Sequence, residues 1–553
     1  MKKLTDITMA QTNENVLIIG AGPVGQMMAL MLARHGIHSH LIDRRVARSQ
    51  APRAHAVNPR TLEICAAAGI DSGHIRELGA SANDAGHVRF VGTLTGPEFG
   101  SMTYERQDDG AFESTPYPLT NIPQPRFEEV LDEAIAGSDS ITFERGVTAV
   151  SVSQDDGGAE VVLDSNGQET TRHYDYVVAA DGAGSRTRNA LGIEMEGPEA
   201  LQHYVMIHFH ADLRGAVDGR PGLLYFLFDP SSSGVLINYD TKHDWVLMQS
   251  TDPASETVED FDDDRCKALV EAAVGAPVDD LVIAHKSPWT MSAQVATRYR
   301  DNRVFLVGDA AHRFPPTGGL GLNTGVADAQ NLAWKLAYVM SGRAGASLLD
   351  TYESERRPVA QVNTEQSLTN SAKIFELFVA IYGSDPEKTA EHYKAVVERL
   401  PAGDDEVLAA AVEAQRPHFD SFNLQLGYSY DSAAVRDGHH ETSPHVSDYQ
   451  PSWSPGARVP HSWIRQGEHC TSFHETLDMT RFSLITRQET GVTSEELNVV
   501  DLSRVPESAL SGLPAGRSAL VRPDGHVGAL LADEELGSVA DVRATLLGLS
   551  AGG

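Results

Sequence analysis

The stretch Val16–Asp43, VLIIGAGPVGQMMALMLARHGIHSHLID, decides the fold. Its first four residues form an apolar run of the length of a buried strand. Gly20, Gly22 and Gly25 follow in the spacing G-x-G-x-x-G. Met27, Leu30, Met31 and Arg34 then recur at helical spacing, and three of the four are apolar. Ser39–Ile42 reads as a second strand and ends on Asp43. A strand–turn–helix–strand unit of an α/β protein is predicted. In such a unit the first glycine permits a tight turn, the second admits a pyrophosphate to the backbone, and the third lets helix and strand pack closely. The helix N-terminus offers that anion its N–H groups and positive dipole end. A carboxylate at the position of Asp43 accepts hydrogen bonds from an adenosine ribose. The pattern alone does not separate FAD from NAD(P).

Two further stretches extend the reading. AADGAGSRTR (179–188) closes a buried strand with Asp181-Gly182, which by itself also suits an ordinary turn. RVFLVGDAAHRFPPTGGLGLNTGVADAQNLAWKLA (303–337) carries the most information. A strand ends at Gly308-Asp309, so a carboxylate sits at the carboxyl end of a parallel sheet, where ligands bind. Pro315-Pro316 holds the chain extended. Gly318, Gly319 and Gly321 let successive N–H groups face a ligand before a helix predicted over 326–342. Such a loop is an anion site and suits a reduced flavin, which is negative near N1.

The remaining sequence sets limits. A chain of 553 residues suggests about three folding units. Its net charge of −33 argues against a nucleic-acid partner. Cys65, Cys266 and Cys470 are far apart and form no CxxC, so neither disulfides nor a cysteine zinc site is expected and a cytoplasmic, reducing setting fits. No apolar run reaches membrane-spanning length, and MKKLTDITMAQTNEN lacks the apolar core of a signal peptide. Residues 147–153 and 159–163 alternate as a hairpin, 203–250 as antiparallel sheet, and 358–400 read as mostly helical. The stretch 428–456 has the Ser, Asp, His, Tyr and Pro content of a linker. Its His439, His440, Glu441 and His445 lack helical metal-ligand spacing and read as solvated loop, so no metal site is expected. The stripe Ile374, Phe375, Leu377, Phe378, Ile381 and Tyr382 reads as core or dimer contact.

Together and in this order, the three motifs resemble the para-hydroxybenzoate hydroxylase superfamily of FAD monooxygenases, over about residues 14 to 420. PRAHAVNPRTLEI (52–64), LGYSYDS (426–432), PGARVPHSW (455–463) and LVRPDGHVG (520–528) are similar to its phenol-hydroxylase branch, which includes 2,4-dichlorophenol and 2-hydroxybiphenyl monooxygenases. The resemblance implies an α/β fold: a Rossmann-like FAD domain, an inserted antiparallel β substrate domain and a C-terminal thioredoxin-like domain. The expected boundaries are a leader at 1–14, FAD domain at 15–89, 123–195 and 299–425, substrate domain at 90–122 and 196–298, linker at 426–454, and C-terminal domain at 455–553.

The resemblance also implies site roles. Gly20, Gly22 and Gly25 would bind the FAD pyrophosphate, and Asp43 the ribose, although most relatives carry Glu there. Arg53 and Gln124 would approach the linker of the cofactor. Asp181 would lie near the pyrophosphate and serve NADPH or NADH as co-substrate. Asp309 would hold the ribityl chain, and Pro316, Gly319, Gly321, Leu322 and Asn323 would line the flavin ring. His55 would face substrate and flavin as the catalytic residue polarising a phenol; a histidine making a backbone contact at a helix start is the plainer reading. His312 reads as structural. The expected reaction is hydroxylation of a small phenolic aromatic with O2, through a flavin C4a-hydroperoxide, in a homodimer. The alternatives are oxygenation of a bulkier polyketide-type ring, by hydroxylation or Baeyer–Villiger insertion, and a non-catalytic FAD-binding protein. LVRPDGHVG meets Ala529 where relatives continue with an aromatic, and the lone Cys470 of the C-terminal domain argues against a redox role there.

Overall fold

Strand Val16–Ile19 is buried on both faces, and its alternation sorts two cores. Val16 and Ile18 join the core shared with helices Pro23–Arg34, Gln124–Ala136 and Leu320–Met340. Leu17 and Ile19 pack against a three-stranded meander, Val147–Gln154, Ala159–Ser165 and Gln168–Tyr174. The sheet between them runs Arg300–Asp301, Val304–Leu306, Tyr176–Ala179, Val16–Ile19, Ser39–Asp43 and Ile141–Arg145, parallel except for its first pair. Ile19, Ala179 and Leu306 are in register, so the three motif loops leave the sheet side by side. The computed structural model describes residues 15–48, 54–217, 219–403, 405–438, 445–466, 469–488, 497–501 and 512–549.

The second sheet has seven strands, in the order Val282–Met291, Gln202–His210, Asp244–Thr251, Ser232–Asp240, Leu224–Asp229, His87–Val91 and Glu98–Thr103. It is not wholly antiparallel as expected: Leu224–Asp229 runs parallel to His87–Val91. The sheet is assembled from two separated segments of chain, so this pair is not a hairpin. Helix Asp263–Val274 covers one face through Cys266, Val270, Ala273 and Val274.

Helix Leu320–Met340 begins inside the glycine run, six residues before the predicted start. Its glycines serve close packing rather than helix breaking. A Cβ on Gly325 would lie 2.5 Å from Val24 Cγ2 and 3.0 Å from Gly308 Cα. Helix Thr351–Tyr382 also starts early and accommodates Pro358 in its interior. In the apolar stripe, Leu377 and Ile381 are buried and Phe375 is exposed, as is Val379 beside the stripe.

The C-terminal unit carries a sheet ordered Leu497–Asp501, Phe482–Thr486, Arg517–Val521 and Val527–Ala532. It packs on Trp334 and Tyr338 of the long helix through Phe482, Leu484 and Leu520. Buried charges lock the contact. Glu355 accepts hydrogen bonds from Lys335 Nζ at 2.7 Å and from both Arg522 terminal nitrogens at 2.6 and 2.8 Å. Arg522 also pairs with Asp524, whose Oδ2 accepts from Trp334 Nε1 at 3.2 Å. A second seam joins Arg458 to Glu63, which Arg60 also contacts at 3.2 Å. The segment expected as a linker packs as well: Tyr430, Ala434, Val435 and Trp453 are buried. Of its histidine–glutamate group, His439, His440 and Glu441 lie outside the described residues.

Several histidines are buried where desolvation outweighs any carboxylate nearby, such as Asp524 beside His526 and Glu63 beside His474. Desolvation lowers His35, His461 and His526 to about 4, and His418 and His474 to about 3. In the unfolded chain each titrates near 6.5. Between those values the unfolded chain binds protons that the folded chain does not, so stability falls as pH drops. Unfolding monitored by circular dichroism is expected to need progressively less denaturant from pH 6.5 towards 4. A flat profile over that window would contradict these histidine environments.

Candidate active site

The glycine turn divides into two tasks. Gly20 has φ +106°, and a Cβ there would lie 2.3 Å from Ala180 O. A Cβ on Gly25 would lie 1.9 Å from Gly20 O. Packing alone forbids side chains at both. Gly22 differs: it has φ −76°, which any residue adopts, and a Cβ there would meet nothing within 4 Å. It precedes helix Pro23–Arg34, and no side chain caps that end. Asp43 ties the second strand to this turn, accepting from Ala21 N–H at 3.0 Å and Arg45 N–H at 2.8 Å. That backbone task was not foreseen from the sequence.

The neighbouring loops complete the edge. Asp181 accepts through Oδ2 from the Thr187 N–H and hydroxyl at 3.2 and 3.1 Å, while its Oδ1 is buried without a partner. Arg188 bridges two loops by donating to Ala183 O and Ala310 O. Gly308, at φ +58°, donates its N–H to Asp328 Oδ2 at 3.1 Å. His312 Nε2 lies 2.7 Å from the same oxygen, and Arg356 Nε donates to Oδ1 at 2.8 Å. Burial opposes ionisation of Asp328, but His312 and Arg356 outweigh it and hold the carboxyl below its usual range. His312 is therefore a support for the turn. The exposed Asp309 projects from that turn.

Gly318 (φ +108°) and Gly319 (φ +63°) take left-handed conformations, and Gly319 starts the long helix. Gly319 N–H donates to Pro316 O at 3.1 Å. A Cβ on Gly321 would meet nothing within 4 Å. Asn323 has no spare side-chain capacity on its carboxamide nitrogen, which donates to Ala56 O at 3.0 Å and Gly319 O at 2.7 Å. Its Oδ1 accepts from Asn58 N–H and the Thr61 hydroxyl. It fastens this loop to the segment bearing His55. Gln124 donates its N–H to Ala54 O and its side-chain amide to Glu128 Oε1 at 2.7 Å. Arg53 lies outside the described residues.

These features fit FAD. An open cradle over Gly22, a buried acceptor on Asp181 that lacks a donor, and a left-handed glycine pair before a helix share one sheet edge. Pyrophosphate, hydroxyl donors of a ribose or ribityl chain, and an electron-rich ring match them in turn.

His55 stands beside this edge. Its Nδ1 lies 3.2 Å from Asn121 Oδ1. Asn121 Nδ2 donates to Ala85 O at 3.4 Å, which fixes the amide orientation and makes His55 Nδ1 the donor. Nε2 then keeps its lone pair. Burial lowers the imidazole to about 4, so it is neutral at neutral pH. The rings of Tyr104 and Tyr239 lie 5.9 and 6.0 Å from it. Burial raises both phenols, and the Tyr239 hydroxyl is buried without a partner. Tyr104, Asn121 and Tyr239 were missed in the sequence, where each is one polar or aromatic residue in a strand-like alternation.

The FAD binding domain family matches residues 13–367, and the family Aromatic-ring hydroxylase, C-terminal, matches residues 452–549. A putative polyketide hydroxylase of Streptomyces halstedii is 33% identical over 93% of this chain and 92% of that protein. The 2,4-dichlorophenol 6-monooxygenase of Delftia acidovorans is 30% identical over 85% of this chain and 83% of that protein. The crystal structure of the flavin-dependent monooxygenase PieE with FAD and substrate superposes with a TM-score of 0.88 at 30% identity, covering 97% of this chain and 99% of that one.

Proposed function

The chain belongs to the FAD-binding family of aromatic-ring hydroxylases, and on that premise we propose that it hydroxylates a planar, multi-ring phenolic compound. FAD is its cofactor, and NAD(P)H is the usual reductant of the family.

The supporting observation is an apolar face of the seven-stranded sheet. Cross-strand register aligns Phe226, Val235, Met248 and Met206 in one row, with Leu224, Ile237 and Val246 in the next and Tyr204 paired with Trp289 beyond. Five strands contribute, which spans roughly 19 Å at the usual strand spacing. One end is closed by Tyr239 against His55 and by Phe226 against His418 and Phe419. Towards Trp289 the face is only partly covered. A fused-ring substrate would use this width. A single-ring phenol is the second reading, favoured by the likeness to the dichlorophenol enzyme.

In the proposed site, Gly20, Gly22 and Gly25 with Asp181 hold the pyrophosphate side of FAD. Asp309 holds the ribityl chain, and the amides from Leu320 to Asn323, at the start of the long helix, meet the ring. When bound, FAD supplies the reductive activation of O2 with electrons from NAD(P)H. His55 Nε2 accepts a hydrogen bond from the substrate hydroxyl and makes the ring electron-rich. Complete proton transfer from a phenol near pKa 10 to an imidazole near 4 would cost about 8 kcal/mol, so polarisation is the role assigned. The Tyr239 hydroxyl donates to a second substrate oxygen, and the apolar face excludes water. The strand order of the C-terminal unit, with its first two strands parallel and adjacent, supports a thioredoxin-like scaffold; its lone exposed Cys470 supports a structural task. Exposed Phe375 and Val379 support pairing of two copies.

Substrate-dependent NAD(P)H consumption over a panel of single-ring phenols and hydroxylated anthraquinones or naphthacenes is the test. Coupled turnover is expected with the polycycles. Turnover confined to single rings would select the second reading, and a lactone product would select ring insertion. Loss of the hydrogen bond in His55→Ala is expected to lower kcat/KM by on the order of 30-fold, about 2 kcal/mol, with FAD retained.

A further inference from the structure

At one corner of the same sheet face, His208, His210 and Asp244 converge. His208 and His210 are two apart on strand Gln202–His210 and so point to one side. Asp244 pairs directly with His210 across the strands. His208 Nε2 lies 2.6 Å and His210 Nδ1 3.3 Å from the same oxygen, Asp244 Oδ1, and the three atoms lie within 4.8 Å of one another. His210 Nδ1 is buried yet makes no hydrogen bond. A buried imidazole nitrogen close to a carboxylate oxygen but not bonded to it lacks a partner that an ion would supply.

We propose that His208, His210 and Asp244 form a binding site for a divalent transition ion of the zinc type. Two imidazoles and a carboxylate are the donor set such ions take. With bonds of about 2.0–2.1 Å, tetrahedral ligand atoms are about 3.3 Å apart. The His210–Asp244 separation, 3.3 Å, already has that value, and the His208–Asp244 separation, 2.6 Å, must open by about 0.7 Å, which a side-chain rotation supplies. Among the described residues no lysine or arginine pairs with Asp244; the groups around it are His208, His210, His243 and the neutral phenol of Tyr239, and His243 stacks on His210 at 4.1 Å. Side-chain exposures of 11% for His208, 31% for His210 and 28% for Asp244 leave an entry path and room for water as a fourth ligand. In register, His285 faces His208 from the next strand. The site lies at the hairpin that carries Tyr239, so an occupied site would brace that corner of the substrate face.

The test uses the full-length FAD-loaded protein, stripped with chelator and dialysed against micromolar Zn2+, with bound metal measured by mass spectrometry. One zinc per chain is expected. Asp244→Asn and His210→Ala are expected to weaken uptake at least tenfold while flavin absorbance stays unchanged. Equal uptake by wild type and variants would overturn the proposal. Should a variant lose its flavin, Co2+ titration of the wild type decides: visible d–d bands at one equivalent support the site, and their absence overturns it.

Discussion

Gly22→Val is expected to yield a folded chain that has lost its FAD. The argument rests on the contrast among three glycines. At Gly20 and Gly25 a side chain would strike backbone oxygens at 2.3 and 1.9 Å, so substitution there disturbs the fold itself. At Gly22 the backbone is ordinary and a Cβ has open space, so the protein tolerates a valine. The methyl groups would instead fill the cradle before helix Pro23–Arg34. Overfilling a close-packed contact costs about 3 kcal/mol, on the order of 100-fold in affinity. Flavin absorbance after purification and FAD titration of the apoprotein measure it, with far-UV circular dichroism as the control. Stoichiometric FAD in Gly22→Val would place the pyrophosphate elsewhere.

Glu355→Ala is expected to cost about 3–5 kcal/mol of stability, because it strands buried cations rather than removing a surface contact. Lys335, Arg522 and Glu355 are all fully buried, with Asp524 as the other anion. Burial opposes the charge on Lys335 and lowers it to about 8, even with Glu355 beside it. Without Glu355, one cation has no counter-charge. The double variant Lys335→Met, Glu355→Met leaves the Arg522–Asp524 pair neutral and is expected to be more stable than Glu355→Ala. A cycle of wild type, Lys335→Met, Glu355→Met and the double variant, followed by urea unfolding, measures the coupling. A loss below about 1 kcal/mol in the single variant would mean that the seam is hydrated.

The parts legible in the sequence are those whose chemistry is local. The run from Val16 to Asp43 carries strand, turn and helix within one window, and Gly308-Asp309 ends a strand within another. His312 reads as structural and proves to brace Gly308 through Asp328. What depends on distant register was not legible. Nothing near Tyr239 in sequence places it against His55, and His208, His210 and Asp244 meet only because two strands align. The helix start at Leu320 was misplaced because glycine reads locally as a breaker, whereas Gly325 is there to let two backbones approach. The amide of Asn323 reads as a flavin contact, whereas the task of its side chain, which ties Ala56, Gly319, Asn58 and Thr61 together, was not legible. The buried seam under Arg522 was hidden for the same reason: its partners come from three distant segments.

Single-turnover reaction of the reduced, substrate-loaded enzyme with isotopically labelled O2 tests the central claim most directly. One labelled oxygen is expected on a ring carbon of a polycyclic phenol, with the other released as water. Peroxide as the sole O2 product, with no label in any aromatic tested, would contradict it.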